Sequence, residues 1–453
     1  MMELVSSRTT MKKINGDSLT PILIFRRLQG SHKFLLESSA QHEGAGRYSF
    51  IGSNPRKTYV GTNDGITEYA YESGQTYTHQ GELFVLLKRL MPRISNTTEF
   101  PFSGGAVGYV GYNAAQKFTA DDETLDLPNV HFHIYETIIV FDHVTDEITL
   151  IHTNIEAEKQ QPDLDALAHH ILFGETSEDT VYEYEAMEET QLEHFTEVVE
   201  KVKAAIENEH TRVVLSKRFT ASLKGDPLAL YRKLRKENPA PYMYYVTFDD
   251  HVVMGTSPDS LIRVKGDHVI STPTAGHLKR GETKLEDLEN ERILYENVGV
   301  RNAHTTVVAA VQEELKSVCF HDSIKVLDAM HIERSKKALH MTSRVEGKLL
   351  PMLHALDALS ASLPPVSLTG TPKDRAMALL KEIDHTAGIF GGALGFIGFD
   401  GHLDFALTGN SIVVKEDIAH MQIAVSFTKL SNIEEVVERV NDEIQGYQQS
   451  LQE

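Results

Sequence analysis

The chain has 453 residues, with 44 Lys+Arg against 65 Asp+Glu and a formal net charge of −21. That length supports a large core in one or two domains, and the acidic balance repels phosphate backbones, so nucleic acid is excluded as a partner class. A lone cysteine, Cys319, excludes a disulfide framework and fits a reducing cytoplasm, while no stretch approaches the roughly 18 apolar residues of a membrane span and the N-terminus lacks a signal-peptide core.

Over residues 45–150 the runs GRYSFIG, TYVGTN, GAVGYVGY, YETIIVF and EITLIHT read as strands, β-branched or aromatic and bounded by Gly, Asn or Asp. Residues 154–193 are polar and acidic, and read as a connector with one short helix at DALAHHIL. An amphipathic helix follows from Glu193 to Asn208, with Phe195, Val198, Val199, Val202 and Ile206 at three- and four-residue spacing. Then come a strand at TRVVLSKRF, a helix at PLALYRKLRKEN closed by Pro239, and strands at YMYYVTF and HVVMGT. Hairpin signals at FDDH and FDGH favour an α+β fold with antiparallel sheets. The regions so delimited are 1–153, 154–193 and 194–453.

GGAVGYVGY at 104–112 recurs as GGALGFIGF at 391–399, with five of nine positions identical. Glycine is costly inside a strand, so its repetition implies close approach of another backbone, a bulge or a ligand, and the recurrence suggests two related halves. LTGTPKDRAM opens a helix with Pro372 in its first turn, where free N–H groups and Lys373 would attract a carboxylate or phosphate. His340 sits at a strand start before MTSRVEG, His131 and His133 share a strand face, and His169–His170 are adjacent. No HExxH, Walker loop, GxSxG elbow or dinucleotide GxGxxG accompanies them, which excludes the corresponding hydrolases, NTPases and dehydrogenases.

FLLESSAQHEGAGRYSFIGSNP (34–55), PFSGGAVGYVGY, RVVLSKRF (212–219), NPAPYMYY (238–245), GTSPDSL (255–261), TPTAGHLKRGET (272–283), LTGTPKDRAM and FGGALGFIGF together resemble the anthranilate synthase component I family of chorismate-utilising enzymes. The resemblance spans nearly the whole chain in order. It implies a two-layer αβ sandwich of two facing antiparallel sheets with helices outside. It also implies conversion of chorismate and ammonia to anthranilate and pyruvate with Mg²⁺, a glutamine amidotransferase partner, and inhibition by L-tryptophan. Ala275 looks like the anthranilate type, whereas Arg212 is neither the glutamine usual in that type nor the lysine of isochorismate synthases. The absence of tryptophan from the composition fits a lineage that makes it.

The resemblance assigns residues as follows. A tryptophan pocket would use Glu37, Ser38, Pro241, Tyr242 and Met243. Asp259 would be the acid, His340 would assist around the ring, and Lys373 and Gly276 would cradle carboxylates. Other substrate positions hold His277, Phe390, Asn410 (for an arginine) and Ala424, Val425 and Ser426 (for a glycine nest). Anchored on His304, the first metal motif places Val300 and Ala303 where the family has glutamates. The second gives Val436 and Arg439 by direct alignment, or Glu435 and Glu438 after a one-residue shift. Two functions remain open at this stage: a working large subunit, and a weak or inactive homologue that keeps the tryptophan pocket and the partner-docking surface.

Overall fold

The structure, a computed structural model, describes residues 9–38, 46–94, 98–115, 125–156, 162–176, 181–187, 192–207, 211–383 and 388–452. Among these, two sheets are antiparallel throughout, each a path of eleven strands with a twelfth beside it: Gly370–Thr371 on Arg212–Gly225 in one, and Lys325–Arg334 on Ala338–Lys348 in the other. One runs Thr9–Asn15, Glu147–Thr153, Thr137–Asp142, Tyr48–Gly52, Phe34–Glu37, then Tyr242–Thr247, His251–Ser257, Ser411–Lys415, Ile418–Thr428, Arg212–Gly225 and Tyr182–Ala186. The other passes from Gln75–Gln80 through Gly65–Ala70, Lys57–Thr62 and Val130–Tyr135 to Gly105–Val110. It then continues through Ala393–Gly398, Leu403–Leu407, Ser260–Lys265, His268–Ser271 and Ala338–Lys348 to Thr274–Lys279. Each sheet is therefore part N-terminal and part C-terminal, joined at one strand pair: Met243 opposite Glu37 in the first, Gly108 opposite Gly395 in the second.

That second pair explains the recurrent glycine motif. The two copies pair with each other, and the equivalent glycines Gly108 and Gly395 face one another across a local two-fold axis. A Cβ on Gly108 would lie 1.9 Å from the His131 carbonyl oxygen, and one on Gly395 would lie 2.0 Å from that of Asp404. The glycines are there because backbone approaches backbone.

Three apolar layers hold the sandwich. Phe34, Phe50, Phe102, Tyr135, Val246 and Phe396 fill the space between the sheets. Helices cover both outer faces. Leu192–Ala205 buries Phe195, Val198, Val199 and Val202 against the first sheet together with the C-terminal helix Ile433–Gln452, whose Val436 and Val440 face inward. Val298–Lys316 and Ala355–Ala361 cover the second. At roughly 25 cal/mol per Å², such burial is the main force holding the sheets and helices together.

Three local expectations need correction. The run YETIIVF is broken at Glu136, where one strand ends at Tyr135 and the next starts at Thr137. The connector holds its expected helix, Leu164–Phe173, but also an edge strand, Tyr182–Ala186, paired with Arg212–Gly225. Its Tyr182 and Tyr184 pack on the outer core. The helix after LTGTP starts at Lys373, which puts Pro372 before the first turn. The expected helix end at Asn208, residues 39–45 of the first motif, and connector residues 157–161, 177–180 and 188–191 lie outside the described residues.

Candidate functional site

All five residues assigned to an amino-acid pocket line one cavity of about 410 Å³ between the sheets. The adjacent strands Phe34–Glu37 and Tyr242–Thr247 supply Glu37, with Ser38 just beyond, and Tyr242 and Met243 behind Pro241. Leu36, Phe50, Tyr244, Leu394 and Phe396 make the remaining wall largely apolar. Glu37 is buried and accepts from Tyr231 Oη at 2.8 Å and Arg235 Nη1 at 2.5 Å, while the buried Ser38 hydroxyl has no partner. Across the slot Tyr242 donates to Asp404 of the other sheet at 2.9 Å, and Arg263 of that sheet donates to both Asp404 and Tyr242 at 2.8 Å. Burial pushes the Asp404 carboxyl up, and Arg263 and Tyr242 oppose that shift. The slot therefore combines an aromatic-sized apolar body with a carboxylate and an unused hydroxyl at one end, as an aromatic amino acid requires.

A second, polar region lies toward the C-terminal end of the sandwich. His340 and Asn410 line a cavity of about 240 Å³ with Asn238, Pro241, Glu333 and Lys337. His277 stands opposite His340 in the strand pair, with ring centroids 6.3 Å apart. Asp259 lines a narrow space with Thr274, Glu314 and Val366. Burial raises its carboxyl to about 6 despite Thr274, with the nearby Glu333 adding to the rise, and Oδ1 has no partner. A carboxyl that holds its proton near pH 6 is suited to general acid work. Lys373 is committed elsewhere: its Nζ donates to Glu314 at 2.8 Å. Burial raises Glu314, and Lys373 opposes it.

Ser426 accepts from Arg212 Nη1, and neither residue lines the cavity of His340 and Asn410 or the narrow space of Asp259. Ala424 and Val425 share that strand, but Val425 packs into the outer core, away from the space between the sheets. Phe390 is buried and does not line the cavity of His340 and Asn410.

Divalent metal chemistry needs hard oxygen donors, and the positions that the resemblance assigns to it do not supply them. Val300 packs beside Leu294, Leu339 and Met341. A Cβ on Gly276, whose φ is +98°, would come within 2.4 Å of Val300 Cγ1. Glu435 and Glu438 lie on the exposed face of the C-terminal helix, whereas Val436 is buried beneath it. The one-residue shift therefore points those glutamates into solvent. Among the described residues no group of three or more His, Cys, Asp or Glu is placed to hold a metal ion. The residues present do not fit Mg²⁺. His304 survives for another reason: Nδ1 donates to the Ala275 carbonyl at 3.1 Å and Nε2 bonds Ser343 at 2.7 Å, which pins the helix to the sheet.

Two features escaped sequence reasoning. Arg212 has a side chain committed to Ser426 and the Val366 carbonyl, which no local pattern discloses. His131 and His133 do share a face, but it is an interior one: His133 stacks on Phe248, His131 lies tilted against the same ring, and His251 and His32 are close by.

The model of the chorismate binding enzyme family matches residues 32–438. Anthranilate synthase component 1 of Lactococcus lactis is 33% identical over 430 residues, which are 91% of this chain and 93% of that protein. The Acetivibrio thermocellus protein of that name is 31% identical over 90% and 88%. The crystal structure of anthranilate synthase component I from Streptococcus pneumoniae superposes with a TM-score of 0.77 at 28% identity, covering 96% of this chain and 98% of that one. The menaquinone-specific isochorismate synthase of Escherichia coli shares the fold at a TM-score of 0.76 and 13% identity, over 99% and 95%. With its facing sheets and its central glycine strands, this chain belongs to the anthranilate synthase component I lineage of the chorismate binding enzyme family.

Proposed function

We propose that the chain acts in the cytoplasm as a ligand-responsive protein of the anthranilate synthase component I type. In this reading the inter-sheet cavity takes L-tryptophan, a glutamine amidotransferase subunit is the partner, and Mg²⁺-dependent conversion of chorismate and ammonia is weak or absent. The observation that carries it is the contrast between two sites in one fold. The amino-acid cavity keeps every assigned residue on its wall, whereas a metal position of the reaction cleft is filled by Val300 and its apolar neighbours. An indole would lie against Phe50, Met243 and Phe396, its ammonium would face Glu37, and the unpartnered Ser38 hydroxyl would donate to its carboxylate.

A working anthranilate synthase is favoured by one observation, the half-buried Asp259 with its raised carboxyl and its buried, unpartnered Oδ1. In that reading Asp259 delivers a proton and His340 assists at the ring. One preparation separates the two. Purified protein is given chorismate, ammonium and Mg²⁺ and followed by anthranilate fluorescence, and its melting is recorded with and without L-tryptophan. No turnover together with a tryptophan-induced rise in Tm is expected. Turnover well above that of Asp259→Ala would overturn the ligand-responsive reading, and so would an unchanged Tm at saturating tryptophan.

A further inference from the structure

The helix Pro227–Glu237 buries Leu228, Leu230, Tyr231 and Leu234 in the outer core. The other positions of its second half are basic: Arg232, Lys233, Arg235 and Lys236. Residues three and four apart are neighbours on a helix surface, so these four cations crowd about one turn, where like charges repel. The helix dipole favours Arg235 and Lys236, which lie in the last turn. Arg232 and Lys233 lie before that turn, beyond most of the benefit.

All four line one cavity of about 930 Å³, together with Pro239, Met243 and, from the end of the C-terminal helix, Ser450. Among the described residues Glu237 is the sole carboxylate of the lining, and it already faces Lys336 Nζ at 3.6 Å and Lys337 Nζ at 3.8 Å. Arg235 is committed to Glu37 behind the wall. The lining therefore carries a surplus of positive charge, in a chain whose net charge is −21. A concave surface of one sign focuses the field and concentrates the opposite ion. The cavity is distinct from the amino-acid cavity, with which it shares Met243 as a wall, and from the narrow space of Asp259.

We propose that this basic cavity binds a small molecule that carries a diphosphate group on an organic body. A diphosphate places its charge on two adjoining centres, which suits cations spread over one helical turn of about 5.4 Å. Arginine grips phosphate oxygens with its fork, and lysine meets them as a point charge. The volume lies near the upper end of the roughly 300–1,000 Å³ of small-molecule sites, more than a diphosphate alone fills. Pro239 and Met243 offer the organic part an apolar wall. The inference needs neither turnover nor tryptophan binding.

Calorimetric titration of the full chain with adenosine diphosphate, at fixed ionic strength and without tryptophan or divalent metal, is expected to show saturable binding. Inorganic diphosphate should bind no more tightly, and citrate, a carboxylate anion of comparable charge, about tenfold more weakly or worse. Arg232 and Lys236 are exposed, so Arg232→Gln/Lys236→Gln should fold normally, melt at the wild-type temperature or above, and weaken binding by about tenfold or more. Glu237→Gln removes the lining's carboxylate and should tighten binding, a gain that a purely structural role would not produce. The proposal is overturned if neither diphosphate binds, if citrate binds as tightly, or if inorganic diphosphate binds more tightly than the organic one. It is overturned too by equal affinity in Arg232→Gln/Lys236→Gln, or by a Glu237→Gln that binds no better than wild type.

Discussion

Asp259→Asn isolates the electrostatic state of the narrow space that Asp259 lines. The folded protein holds a proton on Asp259 up to about pH 6, whereas the ordinary carboxyl of the unfolded chain releases it near 3.8. Between those values the folded state binds more protons, so stability is lost as pH rises through the window. One pKa unit corresponds to 1.36 kcal/mol, so the full loss is about 3 kcal/mol above pH 7 and about half of that at pH 5. Asn cannot ionise and is close to the carboxyl in size. The variant should therefore be more stable than wild type, by about 3 kcal/mol at pH 8 and about half as much at pH 5. The assay is urea unfolding at both pH values, followed by far-UV circular dichroism because the chain has no tryptophan to report by fluorescence. An advantage that is equal at the two pH values, or larger at pH 5, would refute the reasoning, because it would show that burial does not hold Asp259 protonated.

Glu37→Gln removes the carboxylate that Tyr231 and Arg235 share, so tryptophan affinity measured by calorimetry should fall by about tenfold or more, with a modest loss of stability because Arg235 is partly exposed. Burial holds His131 down to about 3 and depresses His133 and His251 as well, so the unfolded chain takes up protons first. Stability should therefore fall as pH drops from 6.5 toward 3, and Tm measured from pH 7.5 to 4 should decline less steeply in His131→Phe. Gly108→Ala forces a methyl onto a backbone oxygen that cannot yield cheaply, and urea unfolding should show a loss of about 3 kcal/mol or more. Val300→Glu combined with Ala303→Glu should produce a Mg²⁺-dependent rise in Tm that wild type lacks, at the cost of a lower Tm without metal.

The sequence disclosed what local pattern and repetition encode. The glycine copies announced a close backbone approach, and the three- and four-residue spacing from Phe195 to Val202 announced a helix face, because both signals lie in neighbouring residues. The edge strand Tyr182–Ala186 was also legible, since Tyr-Glu-Tyr-Glu alternates with period two, but the acidic composition around it masked the pattern. The break at Glu136 was not legible: Tyr135 is buried between the sheets, and the turn is fixed by strands far away in sequence. The same holds for Arg212, whose partners Ser426 and Val366 lie far away in sequence.

Family membership does not by itself report chemistry, for a physical reason. The stability of the sandwich lies in three apolar layers, and Ala303, Asn410 and Ser426 belong to none of them. Substitution at such positions costs the fold little, so the fold cannot report whether the chemistry is kept. The assigned positions that survive unchanged include two with a partner inside the protein: His304 bonds Ala275 and Ser343, and Lys373 pairs with Glu314. Those that differ include Val300, Ala303 and Asn410, whose role in the resemblance is toward a metal or a substrate. Structural need is thus sufficient to explain the retention of His304 and Lys373, and their presence does not count as a sign of turnover. Asp259 is different. Its buried free oxygen has no partner in the fold, and burial raises the carboxyl. Groups that a protein keeps at a cost to its own stability are where a bound ligand should be sought.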